Sequence, residues 1–163
     1  MKPKKYRLET VLEIRGRAKD EAARQVAVRL ELLARAEAEL TRRLKELENC
    51  RERRRQARSA MFTELSGGTQ ARNVTAHKDF LSRLEETETE LEAAVEQQRQ
   101  AVANAEREVA QAREKLIEAA RDLKAIELHK SNWKTAERTR ETRRDQKISD
   151  EIGAILHGRR ERS

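Results

Sequence analysis

Apolar residues in the second half of the chain recur at alternating steps of four and three. The series runs His77, Leu81, Leu84, Glu88, Leu91, Val95, Gln98, Val102, Ala105, Val109, Ala112, Leu116, Ala119, Leu123, Ile126, Lys130, Trp133. Most members are apolar and the register never slips, which predicts a coiled-coil seam. At about 1.5 Å per residue such a helix exceeds roughly 80 Å. Upstream, Val26, Leu30, Leu33, Leu40, Leu44 and Leu47 fall on a similar stripe, interrupted at Glu37. Leu8, Val11, Ala18 and Ala22 carry it nearer the start. Ala18, Ala22, Val26 and Leu30 are separated by successive fours, so a stutter is predicted there. The stripe continues through Arg51, Arg54, Arg58, Met61 and Leu65. Arginines at core-type positions require solvent, a carboxylate partner or a bend.

Turn signals concentrate at Ser66-Gly67-Gly68-Thr69, followed by Asn73 and Thr75. Gly suits a helix C-terminus, and Asn or Thr suits the start of the next helix. The pattern predicts an all-α fold, a long antiparallel two-helix coiled-coil hairpin in a single domain over 1–163. Helix one covers about 5–65, the turn about 66–74, helix two about 75–153, and 154–163 is a tail. Pro3 precedes the first helix, where its missing N–H does little harm.

Charge tests this pairing. A hairpin turning near residue 70 pairs positions whose numbers add to about 140, as antiparallel order requires. The basic run Arg51–Arg58 then meets roughly 82–89, and 85–92 reads EETETELE. A basic block thus faces an acidic one, with both as solvated faces being the alternative. The same rule sets Leu8 near Trp133, where the tryptophan packs at the end of the hairpin. It also leaves nothing in helix one to cover residues beyond about 138. Ile148, Ile152 and Ile155 make a small apolar stripe in that overhang, the form of a docking surface.

Composition narrows the function. Charged residues are 41% of the 163 and aromatic residues 2%. Leu, Ile, Val and Phe number only 31, near the border of disorder. Ala, Glu, Lys, Leu and Arg number 101, which with the heptad period reads instead as long helices. A concave apolar enzyme pocket is disfavoured. No metal-ligand spacing links His77, His129, His157 or Cys50, and no phosphate loop follows Gly67-Gly68. No catalytic residue, metal or other cofactor is expected. Cys50, the sole cysteine, has no internal disulfide partner, which fits a reducing compartment. No apolar run is long enough for a membrane span, and the basic start does not read as a secretory signal. The net charge of +7 raises nucleic acid as a partner. The cations are mixed with acids and lack interleaved aromatics for base stacking, which disfavours it.

Three segments resemble the FliJ family, the small stalk proteins of flagellar type III export, and their injectisome relatives of the YscO type. They are Tyr6-Arg7-Leu8-Glu9-Thr10-Val11-Leu12 with Arg15 and Glu21-Ala22-Ala23, then Asp79-Phe80-Leu81 with Leu84-Glu85, and the tail Asp145-Gln146-Lys147-Ile148-Ser149-Asp150-Glu151. The resemblance implies a cytoplasmic, non-catalytic hairpin similar to the central stalk of rotary ATPases, peripheral to the membrane-embedded export apparatus. Its terminal region would bind and stimulate a hexameric export ATPase. Lys4, Lys5, Arg7, Arg138, Arg143, Arg144, Lys147, Ile148 and Ile152 are the candidates for that contact, with Arg140 in the same basic set. The turn-side region would contact the cytoplasmic domain of the export gate protein through Phe80, Leu84 and Leu91. Arg43, Glu46 and Cys50 stand where the family has aromatic or aliphatic residues. Export chaperones are further partners the resemblance implies. A basic coiled-coil adaptor for nucleic acid or another coiled coil, including a second copy, is the alternative.

Overall fold

A computed structural model describes residues 5–160, with side chains to residue 157. It contains two helices, α1 over Glu9–Ser66 and α2 over Ala71–Arg160. Among the described residues there is no strand. The connection Gly67–Gln70 is tighter than the expected 66–74. The amides of Gly67 and Gly68 bond back to the carbonyls of Thr63, Glu64 and Leu65, closing the last turn of α1. Gly68 has φ +79°, the left-handed conformation that ends helices and that a Cβ disfavours. Asn73, expected in the turn, and Thr75, expected at the start of the second helix, both lie inside it. The Asn73 side chain donates to Thr69 Oγ1 at 3.2 Å. At the other end α2 runs through Gly153 to Arg160, past the expected end at 153. One exposed glycine costs a helix only about 1 kcal/mol, and Ile152, Ala154, Ile155 and Leu156 flank it.

By contacts the chain forms two compact units, one of residues 24–114 and one of 1–23 with 115–163. In each, α1 and α2 run antiparallel. Within 24–114 the pairs step away from the turn as Glu64–His77, Arg54–Glu85, Arg51–Glu88 and Arg29–Glu108. In the other unit they are Arg15–Asp122 and Glu9–Lys130. All keep residue numbers adding to about 140, the expected antiparallel register.

The expected seam of α2 is the observed one: its members from His77 to Trp133 are all buried or half-buried. Val95, Val109 and Leu84 are among the most buried side chains. The seam of α1 differs from expectation at most of its alternate positions, Arg51 being half-buried as expected. Val26, Leu33, Leu40, Leu47, Arg54 and Met61 face inward as predicted, but the alternate set is Arg29, Ala36, Arg43, Cys50 and Ala57. Leu30, Leu44 and Leu65 are exposed, as are Glu37 and Arg58. The seam steps Ala22, Val26, Arg29, Leu33 keep the four–three alternation, so the predicted run of fours does not form there. The physical reason is that two stripes one residue apart share half their members. Choosing leucines favours one stripe, while packing against α2 uses small Ala36, Cys50 and Ala57. Arg29 and Arg43 cover the seam with aliphatic stems and send their heads to Glu108 and to the Ala94 carbonyl.

This assignment predicts unequal leucines. Leu84→Ala should lower stability by about 2–3 kcal/mol through lost burial and a cavity. Leu44→Ala should cost about 1 kcal/mol or less. Urea denaturation reads both, and the reverse order would put Leu44 on the seam.

Candidate functional site

In the unit of residues 24–114, the register is set by a charge cluster. Glu88 occupies a seam position and is 7% exposed. Arg51 Nε donates to Glu88 Oε1 at 3.0 Å, and Arg51 Nη2 donates to Glu92 at 2.6 Å. Arg54 Nη1 lies 2.8 Å from Glu88 Oε2, an ion contact directed too poorly to count as a hydrogen bond. The bonds from Glu92 and Glu88 push the Arg51 guanidinium above its ordinary pKa. The two arginines and the carboxylates are the basic and acidic blocks brought face to face. Further along α1, hydrogen bonds from Arg42 and then Arg43 hold the Glu39 carboxyl down to about 2 from 4.5. Its stabilisation is complete above 4.5 and fades as pH falls toward 2.

The three candidate gate-binding residues meet beside this cluster. Phe80, Leu84 and Leu91 line a groove of about 370 Å³ with Glu46, Cys50 and Arg53. Leu84 is buried in the seam and Leu91 is half-buried. Phe80 is 40% exposed and also borders a second hollow with Ala57 and Ala60. Phe80 is therefore the surface element of the trio and Leu84 its foundation. Arg43 does not line the groove; its guanidinium bonds Glu39 and the Ala94 carbonyl. Cys50 is buried, with its Sγ 3.6 Å from the Leu84 carbonyl it donates to.

The unit of 1–23 with 115–163 carries the other set. Tyr6 is 6% exposed, and its ring packs at 5.3 Å from Trp133 and 5.7 Å from His129. Its hydroxyl shares a hydrogen bond of 2.7 Å with His129 Nδ1. Lys130 reaches Glu9 at 2.7 Å and lies 5.8 Å from the Tyr6 ring centre. Tyr6 packs its ring on Trp133, and the expected Leu8, half-buried, lines the cleft beside them. The rule of numbers adding to about 140 already pairs Tyr6 with Trp133, but Leu8 is the more apolar choice. A cleft of about 740 Å³ opens here between Lys5, Arg7, Leu8, Trp133 and Arg140. Lys4, a candidate of the same set, lies outside the described residues. Arg138, Arg143, Arg144, Lys147, Ile148 and Ile152 are all exposed on α2. Ile155 and Leu156 are exposed with them, at 64% and 60%.

Chemically, these surfaces can bind and orient. Among the described residues no group of His, Cys, Asp or Glu could hold a metal, and no helix is long and apolar enough to cross a membrane. His77 is committed to Glu64 and His129 to Tyr6. The reading of the sequence missed Tyr6, His129 and Phe62, the last being 74% exposed near the turn.

The Glu88 cluster predicts two opposite outcomes. Glu88→Ala should destabilise by about 1–2 kcal/mol, because Arg51 and Arg54 lose their shared acceptor while solvent still screens them. Glu88→Leu should recover that loss, since the seam position accepts an apolar side chain. Thermal melts of both variants check this; equal melting of all three proteins would make the cluster energetically silent.

The model of the YscO-like family matches residues 3–163. No curated protein matches the sequence. Among solved structures, the chain is similar to a proposed YscO homolog from Chlamydia trachomatis, at 25% identity and a TM-score of 0.87, with 99% of each chain covered.

Proposed function

The chain belongs to the YscO-like family, and from that membership we propose that it is a non-catalytic, stalk-like component of a type III secretion apparatus. The match of this family across residues 3–163 carries the reading. A YscO-like match favours an injectisome over a flagellum, since the YscO type is the injectisome branch of the resemblance. The protein acts in the cytoplasm, peripheral to the membrane-embedded apparatus. It binds and stimulates the hexameric export ATPase through Lys4, Lys5, Arg7 and the α2 residues Arg138, Arg143, Arg144, Lys147, Ile148 and Ile152. The exposure of those α2 side chains supports this. A charged, stiff element suits a ring of nonequivalent subunits, because screened surface charges attract without locking one geometry. The second contact, with the export gate protein, uses the Phe80–Leu84–Leu91 groove. Export chaperones are further partners.

Co-purification and an ATPase assay with the export ATPase of the same organism test the first contact. The protein should be retained and should raise turnover; neither effect would refute the stalk reading. Simultaneous charge reversal at Arg138, Arg143 and Arg144 should weaken retention about tenfold with unchanged helicity by circular dichroism. An unchanged affinity would remove these residues from the contact.

Phe80→Ala tests the second contact. It should reduce binding of the gate protein's cytoplasmic domain at least about tenfold, with a small change in melting temperature because the ring is substantially exposed. Full binding by this variant would exclude Phe80 from the interface.

A further inference from the structure

Ion pairs across the seam follow a consistent sign over most of the hairpin. Beyond the turn-proximal Glu64–His77 pair, α1 supplies the cation and α2 the carboxylate, at Arg54–Glu85, Arg51–Glu88, Arg29–Glu108 and Arg15–Asp122. At Glu9–Lys130 the order inverts, with the carboxylate on α1 and the cation on α2. α1 begins at Glu9, but α2 continues in the inverted sense. Its segment 138–147 carries five cations, Arg138, Arg140, Arg143, Arg144 and Lys147, against Glu141 and Asp145. Arg140 pairs with Glu137 at 2.6 Å. Among the described residues, no ion pair engages the other four.

The seam's stripe continues as well, now mixed apolar and charged. Trp133, Glu137, Arg144, Ile148 and Ile155 recur at steps of four and seven. An eleven-residue repeat keeps a nearly straight helical stripe on one side. α1 covers that side of α2 as far as the Glu9–Lys130 pair, and Tyr6, just ahead of α1, extends the cover to Trp133. Beyond it, Ile148 and Ile155 are 55% and 64% exposed. The cleft at Trp133, rimmed by Lys5, Arg7, Arg140 and the half-buried Glu137, lies where the cover thins out.

We infer that the cleft at Trp133 and the α2 face running from it through Arg144 to Ile155 form one docking surface for an acidic amphipathic helix of a partner protein. That helix continues the seam where α1 stops, and its carboxylates answer the α2 cations as Glu9 answers Lys130. Interface charges of this kind select partner and register. A second copy of the chain is a poor occupant. It presents the same cations, and Glu92 and Glu88 of its acidic run are engaged by Arg51 and Arg54. Nucleic acid leaves the isoleucines without a partner, and Tyr6 is too buried to stack a base. The surface is defined by its chemistry and does not require the partner to be the export ATPase.

Trp133 is the sole tryptophan, so the full chain reports occupation of the cleft by its own emission. The probe is a synthetic peptide of about three heptads with Leu at core positions and Glu at the flanking ones. Its control carries Lys in place of Glu. The acidic peptide should shift Trp133 emission to the blue and saturate; the basic one should not. Arg144→Glu and Ile148→Ser should each weaken binding about tenfold without changing helicity. Equal responses to both peptides, or full affinity in both variants, would overturn the inference. So would the same emission shift on dimerisation by sedimentation, or on adding a short DNA duplex at comparable affinity. Lost peptide binding with full retention of the export ATPase by both variants would keep this surface and set the ATPase contact elsewhere. Peptide binding without ATPase retention would preserve the surface and remove that reading.

Discussion

Two helices can share only one seam, and this constraint governs the protein. Among the described residues no large side chain is fully buried, because each helix has a single neighbour and solvent on every other side. Stability must come from a narrow stripe in which most members are half-exposed. That stripe absorbs few apolar residues, which explains how a chain at 41% charge can still fold. It also makes register the critical variable, since a slip would separate apolar residues that have no alternative partners.

The buried Glu88 addresses that weakness. A carboxylate among valines and leucines is costly unless paired, and only one antiparallel register sets it between Arg51 and Arg54. The cluster thus gives up apolar contact at one seam position in return for specificity. Arg29 and Arg43 do something similar with less burial, lying along the seam and bonding Glu108 and the Ala94 carbonyl. Charges on this seam therefore decide how the helices meet, while Val95, Val109 and Leu84 supply the burial.

What the seam leaves uncovered is where binding can occur. Phe80 stands beside the register cluster on a groove floored by Leu84. Arg144, Ile148, Ile152 and Ile155 lie on the part of α2 that α1 does not reach. In both places an apolar side chain stays exposed next to arginines, a combination that favours a protein partner with its own apolar and acidic groups.

Much of this was legible in the sequence. The α2 heptads set the fold class, Gly67-Gly68 set the turn, and the turn set the meeting of Arg51–Arg58 with the acidic run at 85–92. The heptads could do so because their period is unbroken and α2 has one possible stripe. The α1 stripe was ambiguous, and only packing chose Ala36 and Ala57 over Glu37 and Arg58 and buried Cys50 more deeply than Arg51. The leucines at 30 and 44 misled because apolarity alone ignores how closely a neighbouring helix must approach. Tyr6 was passed over for Leu8, since no one-dimensional pattern reveals that a tyrosine can be buried when His129 accepts or donates at its hydroxyl. The sequence by itself determined that two helices pair and roughly where. Tertiary structure decided which side chains share the seam and which remain outside it, because burial depends on a partner's shape and hydrogen bonds as well as on periodicity.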